Sequence, residues 1–349
     1  MSPLEVIWTV SLALAAISLL FMAVLIGRRV FIDRADARHA ARRAQLQAHL
    51  IAAIDADDRS ALPPVTGQSD RRILAEIGRE LVDLVRGEDR ARLLAAMEEN
   101  GVVEAVLADM TARSARRRER AVSCLAPFDR DDVRSALMDV LCRDPVSAVR
   151  MSAAFALAEW GSPPPLPVIA EALGGLEHAG SLRLRALLVL IAASSPLELV
   201  DLMRADPRPP VLAAALHALG QSGTLGAIDL MIEAASHADV TVRTEAFRAL
   251  AQLGHPDAER AIPGGLADAA WQVRGQAARC AGQIGLSSAV PALEAALSDP
   301  QWWVRFRVSE ALTKLGMQGM EALERTAKGT GPAAQTAQLV LAESGAVPS

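Results

Sequence analysis

Tyrosine is absent from this chain, and all aromatics together make up 3% of it. That excludes tyrosine chemistry and leaves little for stacking nucleic-acid bases. The three cysteines, Cys124, Cys142 and Cys280, cannot build a disulfide framework and have no CxxC spacing, a usage that fits a reducing compartment. A net charge of −5 argues against a general nucleic-acid binder. The signatures of common chemistries are missing as well: there is no HExxH, no G-x-S-x-G, no phosphate-binding G-x-x-x-x-G-K-[ST] and no G-x-G-x-x-G after a strand pattern. The six histidines are scattered without ligand spacing. No catalytic residue, no metal ligand and no cofactor is therefore expected.

What the chain does have is aliphatic bulk, 51% hydrophobic residues with 22% charged, too apolar for a disordered chain. The uncharged run 6–27 would make a helix of about 33 Å, the length of a membrane span. Arg28, Arg29, Arg34, Arg38, Arg42 and Arg43 come after it against Asp33 and Asp36. By the positive-inside rule this predicts a single-pass protein of a bacterial inner membrane with its C-terminal part cytoplasmic. The expected organisation is a short non-cytoplasmic N-terminus at 1–5, a transmembrane helix at 6–27 and a basic juxtamembrane helix at 28–54. A linker at 55–70, marked by two prolines and clustered small polar residues, leads to a helical array at 71–349.

The array shows a period of 31 residues. Val211, Val242, Val273 and Val304 are evenly spaced by it, and Val149 stands two periods before Val211; Leu184-Arg185 is displaced by four residues. Within a unit, apolar residues recur at 0, +4, +8 and +11, as in Val242, Ala246, Leu250 and Leu253, which is one face of an α-helix. A glycine stands at +12 in Gly161, Gly223, Gly254, Gly285 and Gly316, where a left-handed residue closes a helix. The rest of the period holds one more helix and a turn, so each unit reads as a helical hairpin that cannot bury its apolar face alone.

These units resemble the HEAT-repeat family, in particular the short bacterial repeats of the phycobilin-lyase-like type. The resemblance rests on Asp144-x5-Arg150, Asp268-x5-Arg274 and Asp299-x5-Arg305, each with Val before the Arg, and on Pro291 in the first helix of its unit. It implies an all-α solenoid of eight or nine hairpins, preceded here by the transmembrane helix, and a structural ladder of those Asp and Arg residues between repeats. Leu212 replaces an Arg and His237 an Asp, so the ladder is expected to be interrupted in mid-array. An iron-dependent hydroxylase built on such repeats uses His-Glu dipeptides as ligands, and none occurs here.

In that family the second helix of each hairpin lines the binding surface. Positions +2, +3 and +6 from the Val lie off the apolar stripe, which nominates Thr244, Glu245, Arg248, Gln276, Arg279, Phe306, Arg307 and Glu310 for protein binding, with His217 in the same set. Trp303, without a counterpart in other units, joins them; Trp271 and Trp302 are expected to pack between repeats and the cysteines to lie in the core. Arg113, Arg116, Arg117, Arg118 and Arg120 form a cluster that could dock an anionic partner or present a solvated face with Arg118 in the ladder register. The resulting expectation is a membrane-anchored, non-catalytic scaffold for a membrane-associated protein partner, serving a bacterial envelope or exopolysaccharide system. The alternative is a lyase- or chaperone-like protein handling a bilin-type chromophore or cofactor.

Overall fold

The computed structural model describes residues 3–55, 65, 67–176 and 181–344; within the first helix, side chains are described at 18–29 and at part of 31–54. Among the described residues all regular structure is helical. The chain divides into two compact units, 1–133 and 134–349.

The first unit holds α1 (Pro3–Asp55), α2 (Gln68–Val82), α3 (Gly87–Glu99), α4 (Val102–Leu107) and α5 (Ala115–Leu125). Leu46, Leu50 and Ile54, spaced i, i+4, i+8, are the buried stripe of the C-terminal part of α1, which packs on α2 and α3. Charge tracks the same contact: Arg42 donates to Asp70 (2.7 Å) and Arg43 to Glu80 (2.6 Å). Upstream, every described side chain from Ser18 to Arg29 is exposed.

The expected membrane span is not borne out. Among the described residues no helix is long and apolar enough to cross a membrane. This overturns the placement as a single-pass protein of a bacterial inner membrane, C-terminal part cytoplasmic, and leaves the single membrane span unsupported. Residues 6–17 of the expected span lie outside the described side chains, as do 56–64 and 66 of the expected linker.

The second unit begins within α6 (Asp131–Arg143) and continues through α7 (Ser147–Glu159), α8 (Leu166–Ala172), α9 (Leu182–Ser194), α10 (Pro196–Ala205), α11 (Pro209–Ser222), α12 (Ile228–Ala234) and α13 (Val240–Leu253). It ends with α14 (Ile262–Leu266), α15 (Trp271–Ile284), α16 (Val290–Ala296), α17 (Trp302–Thr313), α18 (Gly316–Ala327) and α19 (Pro332–Glu343). Paired in order, α6 to α19 make seven hairpins, and their second helices, α7, α9, α11, α13, α15, α17 and α19, pack each on the next. The valines at the start of the stripe, Val149, Val211, Val242, Val273 and Val304, are all buried. The five glycines at +12 all take positive φ, between 67° and 80°, which turns the chain out of the helix at little steric cost.

Neighbouring second helices approach closely because small residues recur with the period. A Cβ on Gly220 would stand 2.7 Å from the Ala249 Cα, and one on Gly282 would stand 2.6 Å from that of Ala311. Phe247, fully buried, fills the space beside Gly265, where a Cβ would meet its ring at 2.2 Å. The core is thus close-packed from Ala, Gly and Leu, with one large aromatic inserted.

Candidate functional site

Between hairpins, a recurring arginine ties the loops. Arg274 sends Nε and Nη2 to the two carboxylate oxygens of Asp299 (2.6 and 3.0 Å), and Nη1 to the carbonyls of Asp268 (2.8 Å) and Ala269 (3.1 Å). Arg243 does the same with Asp268 (2.7 and 2.9 Å) and the carbonyls of His237 and Ala238. Arg305 and Arg150 keep the carbonyl half of the motif, at Asp299 and Asp144, and otherwise reach the Thr336 hydroxyl and the Ala172 carbonyl. Burial pushes the carboxyls of Asp268 and Asp299 up, but the arginines and the backbone N–H groups of Ala270 and Gln301 outweigh it. Both sit below the usual carboxylate range.

Arg243 escapes a search for Asp-x5-Arg because His237 stands in the Asp position. The signal that finds it is the spacing of 25 residues from Arg to Asp, common to 243/268 and 274/299. His237 takes over only the turn: its Nδ1 accepts the Asp239 N–H (3.0 Å), as the aspartates accept from the residue two later. With Leu212 as the preceding residue of the series, this is where the ladder lacks a rung.

The arginine cluster at the start of α5 is mostly engaged internally. Arg117 donates to Asp109 (2.6 Å), which also receives Arg72 through both oxygens (2.8 Å each). Arg118 is buried and bonds the carbonyls of Ala112 and Arg113, the pattern of the ladder arginines. Arg120 reaches Glu76 (2.7 Å). Arg116 lines an open, charged recess of about 370 Å³ with Arg79, Glu80 and Glu119.

The remaining nominees share the second-helix face of the second unit, where side chains at +3 and +6 are one helical turn apart. On α13, Glu245 accepts from Arg248, with Arg185 of α9 3.6 Å away. His217 of α11 places Nδ1 3.9 Å from Glu245. Burial holds its pKa below the ordinary value, the positive charge of Arg185 adds to this, and Glu245 opposes both. On α17, Arg307 pairs with Glu310 (2.7 Å) and lies over the Trp303 ring at 4.8 Å. Phe306 stacks on Trp302 and Trp303 at centroid distances of 5.3 and 5.7 Å, and the two Trp rings, 5.6 Å apart, are tilted by 38°.

Two expectations differ from what is observed. Trp271 and Trp302 do not pack away between repeats: they are 39% and 47% exposed, Trp303 42%, because they are the first residues of α15 and α17 and precede the buried stripe. Cys142 is exposed while Cys124 and Cys280 are buried. Arg185 and His217 also border a groove of about 580 Å³ across α7, α9 and α11, walled by Leu182, Ala186, Val189 and Leu190. Among the described residues no group of three or more His, Cys, Asp or Glu could hold a metal ion.

Residues 196–264 and 259–342 match the family model described as HEAT repeats, so repeats of this kind occupy α10 to α19. Among solved structures, Kap95p, which the structure shows with RanGDP, is 15% identical over 85% of this chain and 50% of its own, at a TM-score of 0.47. Kap121p bound to Pho4p is 15% identical over 77% of this chain and 37% of its own, at 0.45. Human deoxyhypusine hydroxylase, an enzyme, is 20% identical over 78% and 96%, at 0.30. This chain therefore spans less than half of Kap121p. No curated protein matches it. The finer likeness to phycobilin lyases is not shown by these matches.

Proposed function

We propose that this chain is a non-catalytic scaffold whose second-helix face, on α11 to α17, binds a protein partner. One observation carries the reading: charged and aromatic side chains collect on that face at the register positions between the buried stripes, while Trp302 and Trp303 stay exposed in a chain that has few aromatics. Partly exposed Trp and Arg side by side are the residue types on which protein interfaces concentrate their binding energy. HEAT repeats serve mostly as interaction scaffolds, in agreement with the reading. The further expectation of an envelope or exopolysaccharide system has no observation behind it.

The test places a photo-crosslinking amino acid in the full chain, in cells, at Arg279 or Phe306, and on the first-helix side at Leu225, in the turn that leads into α12, or at Met317 of α18. A scaffold using this face yields the same captured protein from both second-helix positions and nothing from the first-helix ones. Capture confined to Leu225 or Met317, or no capture at all, overturns the proposal.

A further inference from the structure

The +3 and +6 positions of three consecutive second helices hold Glu245 and Arg248, Gln276 and Arg279, Arg307 and Glu310. On α13 and α17 the pair is an acid and a base that neutralise each other one turn apart. On α15 the acid is replaced by an amide. Arg279, half-buried, is left with no hydrogen-bond or ion-pair partner among the described residues. The Gln276 Oε1 beside it is buried without a donor, which is costly unless something supplies one. A positive charge and an unmet acceptor thus sit together in the middle of the face.

This spot is continuous with the aromatic cluster. The Arg307 chain runs from the Trp303 ring back over α15, its Cγ 3.9 Å from where a Cβ on Gly275 would be. Packed helices lie about 8–10 Å apart, and an extended chain advances about 3.3 Å per residue. Three residues of extended peptide therefore cover the step from α17 to α15.

We infer that the α15–α17 face binds an extended acidic segment, with an apolar side chain seated on Trp302, Trp303 and Phe306 and a carboxylate two to four residues away on Arg279. The carboxylate completes the ion pair that α15 lacks, and a main-chain N–H of the segment supplies the donor that Gln276 lacks. A basic segment is disfavoured, because it would bring positive charge to an unneutralised guanidinium. The inference rests on the scaffold reading and adds to it the chemistry of the partner.

The probes are fluorescein-labelled twelve-residue peptides of Gly and Ser carrying one Leu or Trp and one Asp, separated by one to six residues, with Lys replacing Asp as the control. Anisotropy is read with the full chain. Binding is expected to be strongest at separations of two to four and to drop at least tenfold on Asp-to-Lys exchange.

The decisive variant is Gln276→Glu, which gives α15 the acid that α13 already has. It is expected to keep the melting temperature or raise it, and to weaken the Asp peptides about tenfold, the worth of one charge-assisted bond. Trp303→Ala weakens all peptides alike. No binding by any peptide, binding indifferent to the Asp, or Gln276→Glu without effect overturns the inference. If the peptides fail while crosslinks from Arg279 and Phe306 still capture one protein, the scaffold stands and the acidic segment falls. If both fail, the two fall together.

Discussion

Replacing Arg274 by Ala removes one complete rung of the ladder. The guanidinium makes four hydrogen bonds, two to Asp299 and two to carbonyls of the preceding loop. Its loss leaves an Asp299 side chain that is 6% exposed, with the Gln301 N–H at 2.8 Å as its remaining hydrogen bond and Arg305 as the nearby positive charge. Breaking a buried pair from one side costs about 3–5 kcal/mol; with Arg274 itself 15% exposed, the lower end applies, about 3 kcal/mol. At about 2–4 °C per kcal/mol for a unit of this size, the melting temperature of the second unit should fall by about 6–12 °C. Hydrogen exchange should show the loss first in α15 and α17, since stacked repeats answer mainly to their neighbours. The assay is calorimetry on Arg274→Ala, Asp299→Ala and the double variant, which should recover about 1 kcal/mol or more relative to additivity. A fall of less than about 2 °C, or strict additivity, refutes the rung as a source of stability.

Gly265→Ala forces a methyl into the Phe247 ring and should cost about 1–3 kcal/mol, read as a lower urea midpoint; Gly264→Ala, with open space around it, is the control. The carboxyls of Asp268 and Asp299 lie below the ordinary aspartate value of 3.8 in the folded chain. Their contribution is complete above that value and is lost as pH falls through the lower folded one. Stability should therefore drop steeply below about pH 4, and less steeply in Arg243→Ala and Arg274→Ala, whose aspartates have lost the partner; parallel pH profiles would contradict this. Burial pushes the Cys124 thiol up to about 11 and the Cys280 thiol to about 12. Iodoacetamide at neutral pH should label Cys142 and, until the chain unfolds, neither of the others; mass spectrometry reads the sites.

The helical hairpins were legible because their determinants are local. The stripe at 0, +4, +8 and the glycine at +12 lie within one helix and its cap, and Val242 to Gly254 carries all of them. The ladder was legible only in part, because its bonds run between repeats: Asp268 answers to Arg243, 25 residues earlier, and a motif sought within one repeat passes over that rung. Arg185 near Glu245 lies further out of reach, since the approach depends on how α9, α11 and α13 stack. Cys142 looked like a core residue from its apolar neighbours, yet Val133, Leu137 and Leu141 form the buried stripe of α6, and position 142 turns away from it. Arg118 is legible from its ladder register, and its bonds to the carbonyls of Ala112 and Arg113 follow that pattern; Arg117 is not, because nothing in its immediate sequence announces Asp109 as its partner.

The missing rung at Leu212 makes the joints of the array unequal. Around α15 each loop is clamped to the next by a guanidinium that holds a carboxylate on one side and two carbonyls on the other. At α11 nothing comparable exists among the described residues: Asp206 is spent on Arg208 two residues away, Leu212 has no charge to offer, and His237 closes only its own turn. That joint is held by close helix packing, with Gly220 against Ala249, and by the approach of Arg185 and His217 to Glu245 on the second-helix face, with no clamp between the loops. The repeats on either side of α11 and α13 are therefore coupled through their helices, whereas from α13 to α17 the loops are also tied directly to one another.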